Sequence, residues 1–187
     1  MQAAEAPVSL KGTREPLELF VAAAFLACAR GAIPALIACL SLALGMHELR
    51  RVEAAARLGR WLAIGELCAW CACALFATRY FGPGARVPSM LAESLAWFSA
   101  VSALRILSQA PETASLTRYF SFLRWVALVP GLLALLLLTP LAHTMTVREL
   151  PNGLIIDVGP DLWLAFLVLR LRRATPRYGQ QTGGQLS

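Results

Sequence analysis

Four stretches of this chain stay apolar for about as long as a bilayer is thick. A hydrocarbon core of about 30 Å takes roughly 20 residues of α-helix, and residues 17–46, 61–80, 89–107 and 125–145 meet that length. The apolar residues are gathered into these runs instead of recurring at helix or strand period, which is the membrane pattern. Composition agrees, with 58% of positions hydrophobic and 15% charged, against about 45–50% and about 25% in soluble domains. The fold class expected is therefore an all-α membrane protein, a bundle of four to five transmembrane helices.

The net charge of +6 does not point to nucleic acid. The basic residues flank the apolar runs, where they act as topology signals. All but Lys11 are arginine, a bias that, with the abundance of Ala, Leu and Gly, fits a GC-rich bacterial genome. Residues 1–16 and 174–187 are polar and are read as tails, the second disordered. The first tail is mixed in charge and the run behind it too long for a secretory signal. "LIAC" (36–39) has the outline of a lipoprotein cleavage box, but cutting there would leave the new end inside the bilayer.

Residues 17–173 then form one transmembrane domain, with helices expected at about 17–46, 61–80, 89–107, 125–145 and 159–173. The connector 47–60 is Arg-rich and helical. After Met145, β-branched residues flank Pro151-Asn152-Gly153, which predicts a short β-hairpin-like loop over 146–158 outside the membrane. In "GPDLWLAFLVLRLRR" (159–173), Pro160 suits the first helical position and Asp161 the positive helix N-terminus. Its apolar part is short for a span. Charge counting favours five passes: Arg50, Arg51, Arg57, Arg60, Arg105, Arg118, Arg124, Arg170, Arg172, Arg173 and Arg177 fall on one side, and Lys11, Arg14, Arg79, Arg86 and Arg148 on the other. By the positive-inside rule the first set is cytoplasmic, with the N-terminus outside and the C-terminus inside an inner membrane.

From about Glu93 to Arg173, "FLRWVALVPGLLALLLL", "LIIDVG" and "PDLWLAFLVL" follow one another as a basic-led helix, a β-like strip and a closing helix. That order resembles a family of small bacterial four-helix inner-membrane proteins of unknown function. The family's connector carries a Gly-Glu-x-Phe element that "APETASLTRYF" lacks, and its closing helix is longer. The resemblance implies a membrane location and no activity.

Run 17–46 holds Arg30 and Pro34. At 1.5 Å per residue it measures about 45 Å, too short for two full passes, so it reads as one long helix kinked at Pro34. Arg30 then lies about 5 Å inside the outer boundary, within reach of the interface. Depth matches Arg30 with Glu93 and Glu66 with Arg105, giving two expected interhelical ion pairs, either register pins or parts of an ion or proton path.

Other motifs carry less. Cys68, Cys71 and Cys73 have no histidine nearby, and only the first two share a helix face, so packing explains them better than zinc. His47 and His143 fall at opposite ends of the bundle, which excludes a bis-histidine haem within one chain. Asp157 and Asp161 could bind a cation, but a cap accounts for Asp161. No phosphate loop, HExxH, GxSxG or catalytic carboxylate pair appears. No metal or cofactor is expected. The reading is a non-enzymatic accessory or regulatory subunit whose partners are the lipid bilayer and another membrane protein or a second copy. The alternative is a small oligomeric transporter using Glu66, Glu93 and Arg105.

Overall fold

The computed structural model describes residues 12–29, 32–52, 56–76, 83–136 and 153–175. They form seven α-helices: α1 (Arg14–Cys28), α2 (Ala32–Val52), α3 (Ala56–Phe76), α4 (Pro83–Leu107), α5 (Ala114–Val126), α6 (Val129–Leu136) and α7 (Gly153–Ala174). A single 3-10 turn, Pro111–Thr113, precedes α5.

The first apolar run is a hairpin and not one bent helix. α1 ends where Ala29 turns extended (φ −80°, ψ 116°), and helix resumes at Ala32. Pro34 thereby falls in the first turn of α2, where a missing N–H costs no helical hydrogen bond. Two helices fit because each borrows residues from outside the run. α1 starts at Arg14, inside the expected tail, and buries Pro16 and Leu17; α2 extends through the expected connector to Val52. The two pack closely: a Cβ on Gly45 would stand 3.2 Å from Leu19 and Phe20. Gly12 (φ +78°) lets the start of α1 meet the end of α2, with Val52 Cγ1 3.0 Å from where its Cβ would be.

α1 packs on α2, α2 on α3 and α3 on α4. α4 lies against α3, α5 and α6 and touches α2; α7 packs along α1 and touches α5, closing the ring. One continuous core runs through the bundle, with Phe20, Leu42, Met46, Leu62, Leu104, Phe120, Leu167 and Leu171 almost wholly buried. The fourth run begins as helix earlier than expected, at Ala114, and steps through a turn at 127–128 into α6. The expected hairpin-like loop is corrected: 154–158 belong to α7, no strand occurs among the described residues, and 146–152 lie outside them. α7 is therefore 22 residues, about 33 Å at 1.5 Å per residue, with Pro160 in its interior and Asp161 away from its N-terminus. Asp161 is thus not the helix cap expected of it.

Among the described residues, four helical segments are long and apolar enough to cross a membrane: Ile33–Val52, Leu58–Leu75, Val87–Leu107 and Ala114–Leu136, the last made of α5 and α6 together. This is the architecture of a multi-pass membrane protein.

Candidate functional site

Because α1 to α5 alternate in direction, α6 continues the span begun by α5 and α7 returns, the start of α1, the end of α2, the start of α3, the end of α4, the start of α5 and the end of α7 share one end of the bundle. Arg14, Arg50, Arg51, Arg57, Arg60, Arg105, Arg118, Arg170, Arg172 and Arg173 belong to these segments, and Arg124 lies in the last turn of α5; among the described residues the opposite end has Arg86. Glu18 near the start of α1 pairs with Arg172 near the end of α7. The first and last described helices therefore begin and finish together. That differs from the five-pass expectation, which placed the two ends of the chain on opposite sides.

Aromatic rings pack between neighbouring helices. Trp61 of α3 stacks edge-on to Phe98 of α4 (centroids 5.5 Å), which meets Trp125 of α5 (5.9 Å). On the other side Trp163 of α7 sits 6.0 Å from Tyr119 and 5.9 Å from Phe122. Tryptophan and tyrosine favour the bilayer interface because their rings are apolar and their N–H or O–H wants water.

Glu66 lies five residues beyond Trp61 along α3, about 7.5 Å deeper. Its carboxylate is met by two residues of α2. His47 Nδ1 is 2.9 Å from Oε1, and Arg50 Nη1 is 3.2 Å from Oε2. The arginine pairs charges but stands off the hydrogen-bond line, so buried Oε2 takes no hydrogen bond. The Glu66 side chain is 15% exposed, against 33% for His47 and 42% for Arg50. The acid is inside and its partners lead from it to the basic end.

The helices approach closely enough for this contact because Gly65 precedes the glutamate. A Cβ at Gly65 would overlap Met46 Sδ and come within 2.9 Å of Ser99 Cβ, so α2, α3 and α4 all converge there. Past Glu66, toward the far end, α2 and α3 bury Ala38, Cys39, Leu42, Ala69 and Ala72.

Arg105 is on the other side of α4. Ser99 faces α3, and six further residues turn the helix by about 240°, so Arg105 reaches α5. Its Nε donates to Ser121 Oγ at 2.8 Å. Around it Ser108 and Thr117 share a hydroxyl contact of 3.0 Å, and Thr117 Oγ1 donates to the Ser108 carbonyl at 2.9 Å, stitching α4 to α5.

The expected Glu66–Arg105 pair is thus replaced. Glu66 belongs to His47 and Arg50, and Arg105 to Ser121. Matching by depth failed because α2 stays helical to Val52, carrying past Glu66 two residues, His47 and Arg50, that were assigned to a connector, and because depth ignores which way a side chain leaves its helix. His47 was missed; the signal available was its i,i+3 spacing from Arg50, which puts both on one face of α2. Arg30 lies outside the described residues, and with it the expected Arg30–Glu93 pair. The five cysteines are free thiols, with Cys71 exposed and Cys39 buried. Among the described residues no group of three His, Cys, Asp or Glu is arranged to hold a metal.

No protein-family model, curated protein or solved structure matches the chain.

Proposed function

We propose that this chain is a non-enzymatic accessory or regulatory subunit of a bacterial inner membrane, with its arginine-rich end and both termini in the cytoplasm. The observation that carries the reading is the use made of the intramembrane charge. Glu66 is held by two residues of the neighbouring helix, and beyond it α2 and α3 bury small apolar side chains. A carboxylate spent on joining two helices supports a scaffold. The orientation rests on the gathering of arginines at one end.

Reporter fusions at each terminus test the orientation. Both are expected to report the cytoplasm; a terminus outside would remove that half of the proposal. For the role, in-membrane crosslinking from the outward faces of α3 and α6, followed by native electrophoresis, is expected to give one defined adduct with another membrane protein. A chain that stays a single uncrosslinked species would overturn it.

A second reading, an oligomeric proton-linked transporter, is favoured by the contact between Glu66 and His47, which can exchange a proton. It requires flux through liposomes that Glu66→Gln abolishes. Flux equal to that of empty vesicles eliminates it.

A further inference from the structure

Among the described residues, the arginines of the basic end meet two kinds of partner. Arg50, Arg51 and Arg172 are paired with Glu66, Glu48 and Glu18. Arg105 and Arg124 are different. Both are half-buried, and each meets a neutral group. Arg105 spends its Nε on the neutral Ser121 hydroxyl. Arg124 lays its guanidinium 4.9 Å from the centre of the Trp125 ring, with its Nε buried and without a hydrogen bond.

Both belong to one stretch of the α4–α5 seam. Ser121, which Arg105 touches, is one turn before Arg124 on α5. Arg118, exposed, is one turn before Ser121, so Arg118, Arg124 and Trp125 fall within about 60° of Ser121 on the same helix face. That face meets α4 through Ser121 and Thr117. Arg118 and Arg124 therefore flank, along α5, the hydroxyl that Arg105 touches across the α4–α5 seam. Cations held together away from full solvation require a counter-charge.

We infer that the α4–α5 seam at the basic end binds the phosphate of an anionic lipid headgroup, held by Arg105 and Arg124 with Arg118 at its rim. Guanidinium groups present paired donors to phosphate oxygens, and basic pockets between helices on the cytoplasmic side of a membrane take such headgroups. A lipid fits better than a soluble phosphate because Trp125, 58% exposed, and Phe122, 57% exposed, stand beside the arginines. Those rings offer acyl chains an apolar wall just where the headgroup ends.

The test uses the full chain purified in mild detergent, with phosphatidylglycerol, phosphatidylcholine and inorganic phosphate as probes and native mass spectrometry as readout. Phosphatidylglycerol is expected to bind at least tenfold more tightly than phosphatidylcholine. Arg105→Gln and Arg124→Gln should each weaken it about fivefold and together about thirtyfold, following the worth of a basic side chain near an anionic surface. Arg51→Gln, whose arginine is exposed and paired elsewhere, should leave it unchanged. Equal binding of the two lipids, or full retention by the double variant, overturns the site. Inorganic phosphate competing at equal concentration overturns the lipid as its occupant. Should the double variant misfold, photoactivatable phosphatidylglycerol on the unaltered chain decides: label on α4 and α5 peptides supports the site, and label confined to α1 or α7 overturns it.

Discussion

At Glu66 the interior has one carboxylate met by an imidazole and a guanidinium, and the three cannot be removed independently. Glu66→Ala would leave His47 and Arg50 facing a gap. The expected destabilisation is about 1–3 kcal/mol, the usual penalty for orphaning a partly buried polar partner, read as a fall in melting temperature in detergent. Glu66→Gln keeps an acceptor for His47 and loses the charge opposite Arg50, so it should cost less than alanine. A double-mutant cycle between His47→Ala and Glu66→Ala should return a coupling of about 0.5–3 kcal/mol, as contacting residues do; none measurable would mean the 2.9 Å contact contributes nothing to stability. That Glu66 needed company was legible in the sequence, since a charge within an apolar run is costly. Its partners were not, because they follow from how far α2 continues and how it is rotated.

For single helices the glycines separate two situations that look alike in a string of letters. Gly65 and Gly131 sit where α4 is clamped from either side. A Cβ at Gly131 would come within 2.9 Å of Ser94 Cβ, as one at Gly65 would with Ser99. Gly131→Ala should destabilise by about 1–3 kcal/mol through overpacking. Gly59 has nothing within 4 Å of the same construction, and it lies inside α3. There alanine should be neutral or stabilising by up to about 1 kcal/mol, the helix-propensity difference. If both substitutions shift the melting temperature alike, packing at the α4–α6 contact is not what Gly131 serves. Helices 61–80 and 89–107 were legible because their apolar runs are long and bounded by charge. The hairpin at 17–46 was hidden because its two helices borrow residues from outside the apolar run, and the helical 154–158 because β-branched residues and Pro-Asn-Gly describe only a local preference.

The whole molecule is a ring of helices in which the basic end gathers the start of α1 and the end of α7. Glu18 and Arg172 join there, one half-exposed and the other about a third exposed, so their pair is worth little by itself, about 0–1 kcal/mol. Reversing it, Glu18→Arg with Arg172→Glu, should recover whatever each single change costs, measured by yield of monodisperse protein. Recovery by neither would show that the α1–α7 seam depends on its apolar side chains alone. The membrane class was legible from composition; the order of helices around the ring was not, since no local signal says that the first helix lies beside the last.

That neighbourhood sets a timetable for biogenesis. Chains emerge from the ribosome N-terminal end first, so α1 and the face it buries with Leu17, Phe20 and Ala24 exist long before α7 does. Through the insertion of every intervening helix that face must rest on lipid, on α2 or on an insertase. A ribosome halted before residue 153 would display an unclosed barrel stave, which quality-control proteases should clear faster than the finished chain.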